Sequence, residues 1–263
     1  MERIKARFIA IIFFYFSLTL FLSPLPAGAI EGLPGANWVF FSHDINGLTG
    51  SGGMGWLKQG VDWVKLPGDV MVNTYVEYSL RDRTKEEEYY DVYGPSVGLS
   101  FEKSYFSLGA DYYWLKYPEL TAKDKNEEGY EVTFGWYYTR DLKSKDSSFF
   151  AEGFPFATWG KLSHDGNGIT GSSGMGWIQQ GIDWFRLPGD ILVDTYVKYS
   201  YRARTKEEDY FDAQGPSVGL EFSKSYFKAG ISYYWEEYPK LGERQETAQY
   251  YLGWYYYWDL MKK

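Results

Sequence analysis

The stretch DVMVNTYVEYSLRDR, residues 69–83, alternates between two kinds of side chain more regularly than any other part of the sequence. Its even positions from 70 to 80 carry Val, Thr, Tyr and Leu, whereas its odd positions from 73 to 83 carry Asn, Tyr, Glu, Ser and Arg. A period of two is typical of a β-strand with one apolar and one polar face. At roughly 3.3 Å per residue, such a strand crosses a bilayer when tilted. The stretch therefore predicts an amphipathic, membrane-spanning β-strand.

The same pattern returns as DILVDTYVKYSYRAR in residues 190–204. At the same offset Ser42-His43-Asp44 aligns with Ser163-His164-Asp165, and most positions of residues 41–118 are identical to their counterparts. The repeat is far longer than solenoid or propeller units. We therefore predict two half-barrel units, residues 30–145 and 146–263, each with six strands.

The N-terminus and the composition indicate an exported protein. Residues 1–29 combine three early basic residues, an apolar run and a small-residue end, Ala27-Gly-Ala29, which predicts a cleaved signal peptide; an uncleaved anchor is the alternative. The net charge of −8 argues against nucleic-acid partners, and the lack of cysteine excludes disulfides and thiolate chemistry. Aromatic residues make up 21% of the chain, as expected where rings meet lipid.

Predicted strands and connections alternate regularly in the first repeat. The strands lie near 36–43, 54–66, 69–83, 96–102, 105–117 and 130–140. Short connections at 66–69 and 102–104 alternate with longer polar ones at 44–53, 84–95 and 118–129. This asymmetry is typical of a meander that crosses an outer membrane, although the connection 141–152 is longer than the rule expects. Six strands in each repeat give about twelve strands in total, which is an even number. Closing them into a barrel leaves no exposed sheet edge.

Taken together, these features resemble bacterial outer-membrane β-barrel proteins of the porin-like class. The resemblance covers the whole mature chain and implies an all-β fold, an antiparallel meander transmembrane β-barrel. It also implies a location in the bacterial outer membrane, with membrane lipid and the barrel-assembly machinery as partners. In the last strand Tyr251, Gly253, Tyr256 and Trp258 fit the assembly signal of that class. In the first repeat, the position equivalent to Trp258 is held by Arg140, which does not fit the signal. The tail, residues 259–263, departs from the pattern, since the class usually ends at the aromatic residue.

The polar faces supply candidates for a lumen that selects solutes. The candidates are Asp62, Tyr75, Glu77, Arg81 and Arg83 in the first repeat, and Asp183, Asp194, Tyr196, Lys198, Arg202 and Arg204 in the second. A lumen of mixed charge indicates a channel or export conduit for polar solutes or saccharides, with a polar solute or an exopolysaccharide as the partner. The alternative role for these residues is simple pairing across strands.

Two other interpretations stay open. The chain could instead be a soluble periplasmic or secreted protein with two β domains, which binds carbohydrate through Tyr and Trp platforms. His43 and His164 precede Asp-x-Asn-Gly segments, which turn chemistry explains better than a metal site. Ser42 and His43 point to opposite faces of one strand, so they form no catalytic pair. We predict no enzyme activity, no metal and no cofactor.

Overall fold

A computed structural model describes residues 30–45, 47, 50–85, 90–120, 126–143, 151–166, 168, 170–206 and 211–261. The predicted signal peptide lies outside these residues. Within them, no helix is long and apolar enough to cross a membrane.

Each half of the chain forms six strands. The first half contains β1 (Pro34–Asp44), β2 (Ser51–Leu66), β3 (Val70–Arg83), β4 (Val92–Lys103), β5 (Phe106–Lys116) and β6 (Asn126–Asp141). The second half contains β7 (Pro155–Asp165), β8 (Ser172–Leu187), β9 (Ile191–Arg204), β10 (Ala213–Lys224), β11 (Phe227–Tyr238) and β12 (Glu243–Asp259). All neighbours are antiparallel, and the order is that of a meander closed by the pairing of β1 with β12. The predicted transmembrane barrel of twelve strands is confirmed.

Two seams join the halves. β6 pairs with β7 from Glu131↔Asp165 to Asp141↔Pro155, and β12 pairs with β1 along the whole of β1. Neither half closes on itself, so the alternative of two separate β domains is wrong. Closure satisfies the backbone hydrogen bonds of both edges, which a bilayer cannot do.

The outward face of the described strands is an apolar surface. Phe41, Leu57 and Val197 expose 56%, 54% and 58% of their surface, and they belong to a belt of exposed Val, Leu, Ile, Phe, Tyr and Trp side chains around the barrel. Outward charges such as Asp82, Lys103 and Arg140 lie at or next to strand ends. An apolar belt of this extent is stable in lipid and is the outer face expected of a transmembrane barrel.

The tight turns at one end are built alike in the two halves. The β2–β3 turn holds Gly68 at φ 83° and Asp69 at φ 63°, and the β8–β9 turn repeats this with Gly189 and Asp190. Lys65 bridges to Asp69 at 3.0 Å, and its ammonium group lowers the pKa of this exposed carboxyl. Positive φ favours glycine and tolerates Asp, which explains the repeated Pro-Gly-Asp sequence.

Candidate functional site in the barrel lumen

Residues paired across neighbouring strands share a face, so the register assigns the lumen side of every strand. On β3 the lumen side carries the polar residues at odd positions, as Glu77↔Lys58 and Asn73↔Asp62 show on one side and Glu77↔Ser96 on the other. The lumen is thus lined by polar and aromatic side chains, and three regions follow one another along the barrel axis.

A packed cluster fills the end of the lumen that carries the longer connections. Arg83 and Arg204 are 8% exposed, and Tyr117 and Tyr238 are 1% exposed. The backbone N–H groups of Arg83 and Arg204 donate to Asp91 and Asp212, at 2.9 and 2.8 Å. We call Arg81, Arg83, Tyr117, Arg202, Arg204 and Tyr238 the outer cluster.

Side chains of the outer cluster meet across the lumen. Arg83 of β3 lies within electrostatic range of Arg202 and Tyr238, which belong to the other half of the barrel. Arg202 forms an ion pair with Glu236 at 3.4 Å, and the Tyr238 hydroxyl donates to the same carboxylate at 2.9 Å. The cluster therefore narrows the lumen at this end.

Aromatic side chains occupy the lumen nearer the end with the tight turns. Trp38 pairs with Trp56 and with Tyr255, and in the other half Trp159 pairs with Trp177 and with Tyr137. Tyr255 and Tyr137, on strands that stand opposite each other in the barrel, lie within electrostatic range. About half of the surface of each is exposed, 49% and 52%, so water reaches this part of the lumen.

Between these regions the lumen contains a cavity of about 410 Å³. Its lining includes Trp38 and Trp56, the carboxylates of Glu77, Asp111 and Glu131, the Lys161 ammonium, and Tyr117 and Arg204 of the outer cluster. Lys161 pairs with Glu131 at 2.8 Å. We call this cavity the chamber.

On the opposite wall, the corresponding space is filled. The Phe40 ring stacks on Tyr251 with centroids 5.6 Å apart, and the Tyr251 hydroxyl donates to Glu221 at 2.8 Å. Lys228 also pairs with Glu221, at 3.3 Å. The two halves of the lumen therefore differ, although their equivalent strands match in length to within one residue and both carry a bulge, after Asp62 and after Asp183.

All eleven predicted lumen residues lie on lumen-facing positions, but they do not form one site. Asp62 and Asp183 lie near the tight turns, and Asp62 accepts a hydrogen bond from Asn73 at 2.7 Å. Lys198 lies near the ring of Tyr196 and Asp194 is buried, both on the filled wall. Glu77 and Tyr75 line the chamber, and Arg81, Arg83, Arg202 and Arg204 belong to the outer cluster.

Sequence reasoning missed the lumen tryptophans. β1 reads Trp38-Val-Phe-Phe41, with bulky apolar groups on both faces, so alternation does not reveal the inward side. The recurrence of Trp38 and Trp56 as Trp159 and Trp177 was the available signal. Asp111, Glu131 and Lys161 were missed as well; they lie on the neighbouring strands β5, β6 and β7, but long connections separate them in the sequence.

His43 and His164 lie on the outward face, away from the chamber. Their Nδ1 atoms are 2.8 Å from the hydroxyls of Ser51 and Ser172 on the next strands. Asp165, next to His164, accepts the N–H of Gly168 at 2.7 Å, which is turn chemistry. No group of three or more His, Asp or Glu side chains able to hold a metal occurs in the part of the chain that the structure describes.

The proposed assembly residues lie on β12, at the closing seam. Trp258 pairs with Gly35, its ring covers the space that a Gly35 side chain would need, and its N–H donates to Gln59 at 3.1 Å. Tyr256 packs edge-to-face on Tyr226, with centroids 4.6 Å apart. Tyr251 and Gly253 face the lumen.

Several solved barrels are similar to this chain, whereas no protein-family model and no curated protein matches it. LpxR from Salmonella typhimurium has 9% identity and a TM-score of 0.42, covering 83% of this chain and 99% of that one. The beta domain of the Bordetella autotransporter Brka has 13% identity and a TM-score of 0.39, covering 86% and 98%. The KdgM porin has 9% identity and a TM-score of 0.33, covering 84% and 98%. Likenesses of this size concern the barrel architecture alone, and no specific family is identified.

Proposed function

We propose that this protein is a bacterial outer-membrane channel that passes small polar solutes, saccharides among them, through its lumen. The observation that carries the proposal is the contrast between the two barrel faces. The outward face is an apolar belt, whereas the inward face carries carboxylates, ammonium and guanidinium groups around a chamber. Polar lumens inside apolar belts are the arrangement by which barrels admit hydrophilic solutes.

The outer cluster limits what such a channel passes. Four of its six residues, Arg83, Tyr117, Arg204 and Tyr238, are 1–8% exposed and leave little free cross-section, so the cluster favours small solutes and low conductance. A polysaccharide would need the cluster to rearrange. Small saccharides are therefore the preferred cargo over a polymer.

The first experiment tests whether the protein is located in the outer membrane. The full-length chain, expressed in a bacterium, should fractionate with the outer membrane, resist extraction without detergent and migrate faster on a gel before heating than after. Recovery of a detergent-free soluble protein would contradict the proposal.

Transport is tested with the purified, refolded barrel in liposomes. Swelling in isosmotic solutions of graded saccharides should be rapid for monosaccharides and should fall steeply as chain length increases. Planar bilayers should show small, discrete conductance steps. Swelling no faster than in protein-free liposomes, for the smallest solutes as well, would refute transport.

A further inference from the structure

We propose that the chamber is a binding site for an amine-bearing saccharide, with Trp38 and Trp56 as the stacking platform and Glu77 as the carboxylate that receives the ammonium group. This inference rests on the proposed function, because it names the solute class that the same lumen would take. It concerns one wall of the lumen only.

The chamber has the size and the mixed lining of a ligand site. Its volume of about 410 Å³ falls within the roughly 300–1,000 Å³ of small-molecule pockets, which combine apolar walls with a few polar groups. Trp38 and Trp56 are direct cross-strand partners, and both line the chamber. The Trp38 ring also stacks on Phe40, with centroids 6.0 Å apart. The electron-rich face of an indole attracts both the C–H face of a sugar ring and a nearby cation.

Glu77 is the carboxylate best placed to bind a cation. Glu131 is already paired with Lys161, and Asp111 lies beside the Tyr75 hydroxyl. Glu77 makes no hydrogen bond or ion pair with any residue that the structure describes, although it lines the chamber, and its cross-strand neighbour Lys58 lies 3.6 Å above the Tyr75 ring. A carboxylate at a chamber wall without a fixed partner gains a charge-assisted hydrogen bond when an ammonium group arrives.

A second polar group at the chamber also lacks a satisfying contact. Tyr117 lines the chamber and is 1% exposed, yet its hydroxyl makes no hydrogen bond of normal geometry to the described residues, although the Glu127 carboxylate is near. A buried hydroxyl without a hydrogen bond costs free energy that a ligand hydroxyl can recover. Saccharides offer such hydroxyls at every ring carbon.

The second half of the barrel provides the internal control. Glu77 and Asp111 correspond to Lys198 and Ser232, and Glu131 corresponds to Gln249, so all three carboxylates are absent from the filled wall. Trp159 and Trp177, the counterparts of Trp38 and Trp56, do not line the chamber. The three chamber carboxylates therefore have no counterparts at the equivalent positions, and on the filled wall Glu221 is already paired with Lys228.

The experiment compares three β-1,4-linked disaccharides that differ only at carbon 2: the glucosamine dimer, its N-acetylated form and cellobiose. Binding to the full barrel in detergent is measured by tryptophan fluorescence and calorimetry, at a pH at which the amine is protonated. We expect the glucosamine dimer to bind at least about tenfold more tightly than the other two. Glu77→Gln should remove that preference, and Trp56→Leu should weaken binding of all three disaccharides.

Trp177→Leu is the matched control for Trp56→Leu, and Lys198→Gln is the matched control for Glu77→Gln; both should bind as the unmodified barrel does. Heat-modifiable migration checks that each variant folds. The inference is overturned if the three disaccharides bind with equal affinity, or if Trp56→Leu and Trp177→Leu weaken binding equally. Neither result contradicts the proposed transport function. Absence of saccharide swelling together with selective binding would instead contradict the proposed function alone.

Discussion

Phe40 stacks on Tyr251 across the closing seam, where β1 pairs with β12. At the other seam, where β6 pairs with β7, Lys161 and Thr133 hold the equivalent positions. The β6–β7 seam thus has a charged residue and a small residue where the β12–β1 seam has an aromatic pair. The stack fills its wall of the lumen, whereas Lys161 turns towards Glu131 and leaves the chamber open. Two substitutions at equivalent positions account for much of the difference between the walls.

The first prediction tests the outward face. Val76 is 40% exposed on the apolar belt, whereas Ser79 of the same strand lines the chamber. Val76→Arg should destabilise the membrane-inserted barrel by roughly 2–4 kcal/mol, because it places a guanidinium group in lipid. Ser79→Arg should cost much less, since its side chain reaches a polar lumen. Urea titration of the barrel in vesicles measures both, and similar losses for the two variants would mean that the faces are misassigned.

A second prediction concerns the seams. Residues 30–145 expressed alone should not form a stable barrel, because β1 and β6 would each leave an edge of unsatisfied backbone groups in lipid. Gel migration with and without heating, in detergent and in vesicles, checks this. Co-refolding with residues 146–263 should restore the heat-modifiable band. A monomeric half with cooperative melting would contradict the prediction.

The third prediction addresses the assembly signal. Tyr256→Ala with Trp258→Ala should sharply lower the amount of barrel in the outer membrane, whereas Tyr138→Ala with Arg140→Ala, the matched pair on β6, should lower it less. Quantitative surface proteolysis measures the level.

Because Trp258 also covers Gly35 and donates to Gln59, loss of packing must be separated from loss of the signal. Refolding in detergent, without the assembly machinery, makes that separation. If the residues act as a signal, the Tyr256/Trp258 variant refolds in detergent as well as the Tyr138/Arg140 variant does. Failure of the first variant alone to refold would assign the effect to the seam.

The fourth prediction concerns the outer cluster. Tyr117→Ala and Tyr238→Ala remove the two largest fully buried side chains of the described residues and should raise single-channel conductance, with a stability loss of about 3 kcal/mol each. Tyr117→Phe and Tyr238→Phe retain the ring and should conduct as the unmodified barrel does. Unchanged conductance in both alanine variants would show that the cluster is not the narrowest point.

Alternation predicted the strands best where one face meets lipid and the other meets polar groups. β3 was expected at 69–83 and is Val70–Arg83, whereas β4 was expected at 96–102 and is Val92–Lys103. The sequence Val-Tyr-Gly-Pro at the start of β4 contains turn-forming residues, so local signals argued for a loop. Barrel pairing with β3, as in Tyr78↔Pro95, extends the strand through them.

The candidate site was harder to predict, because it depends on which side chains meet across the lumen. The pattern of β3 places Arg83 on the polar face, but it does not reveal that Arg202 and Tyr238 of the other half lie within electrostatic range of it. The same limit applies to Lys161, whose partner Glu131 lies on the preceding strand across a long connection. Such contacts follow from closure and tilt rather than from local sequence.

The two seams, β6 with β7 and β12 with β1, are the same interface formed twice by related sequences. That is the geometry of a symmetric two-chain barrel joined into one chain. In a dimer of identical chains, every change in the lumen wall would appear twice, and a chamber could not open on one side while the other stayed filled. A single chain is free of this constraint, so each wall of this barrel can change independently of the other.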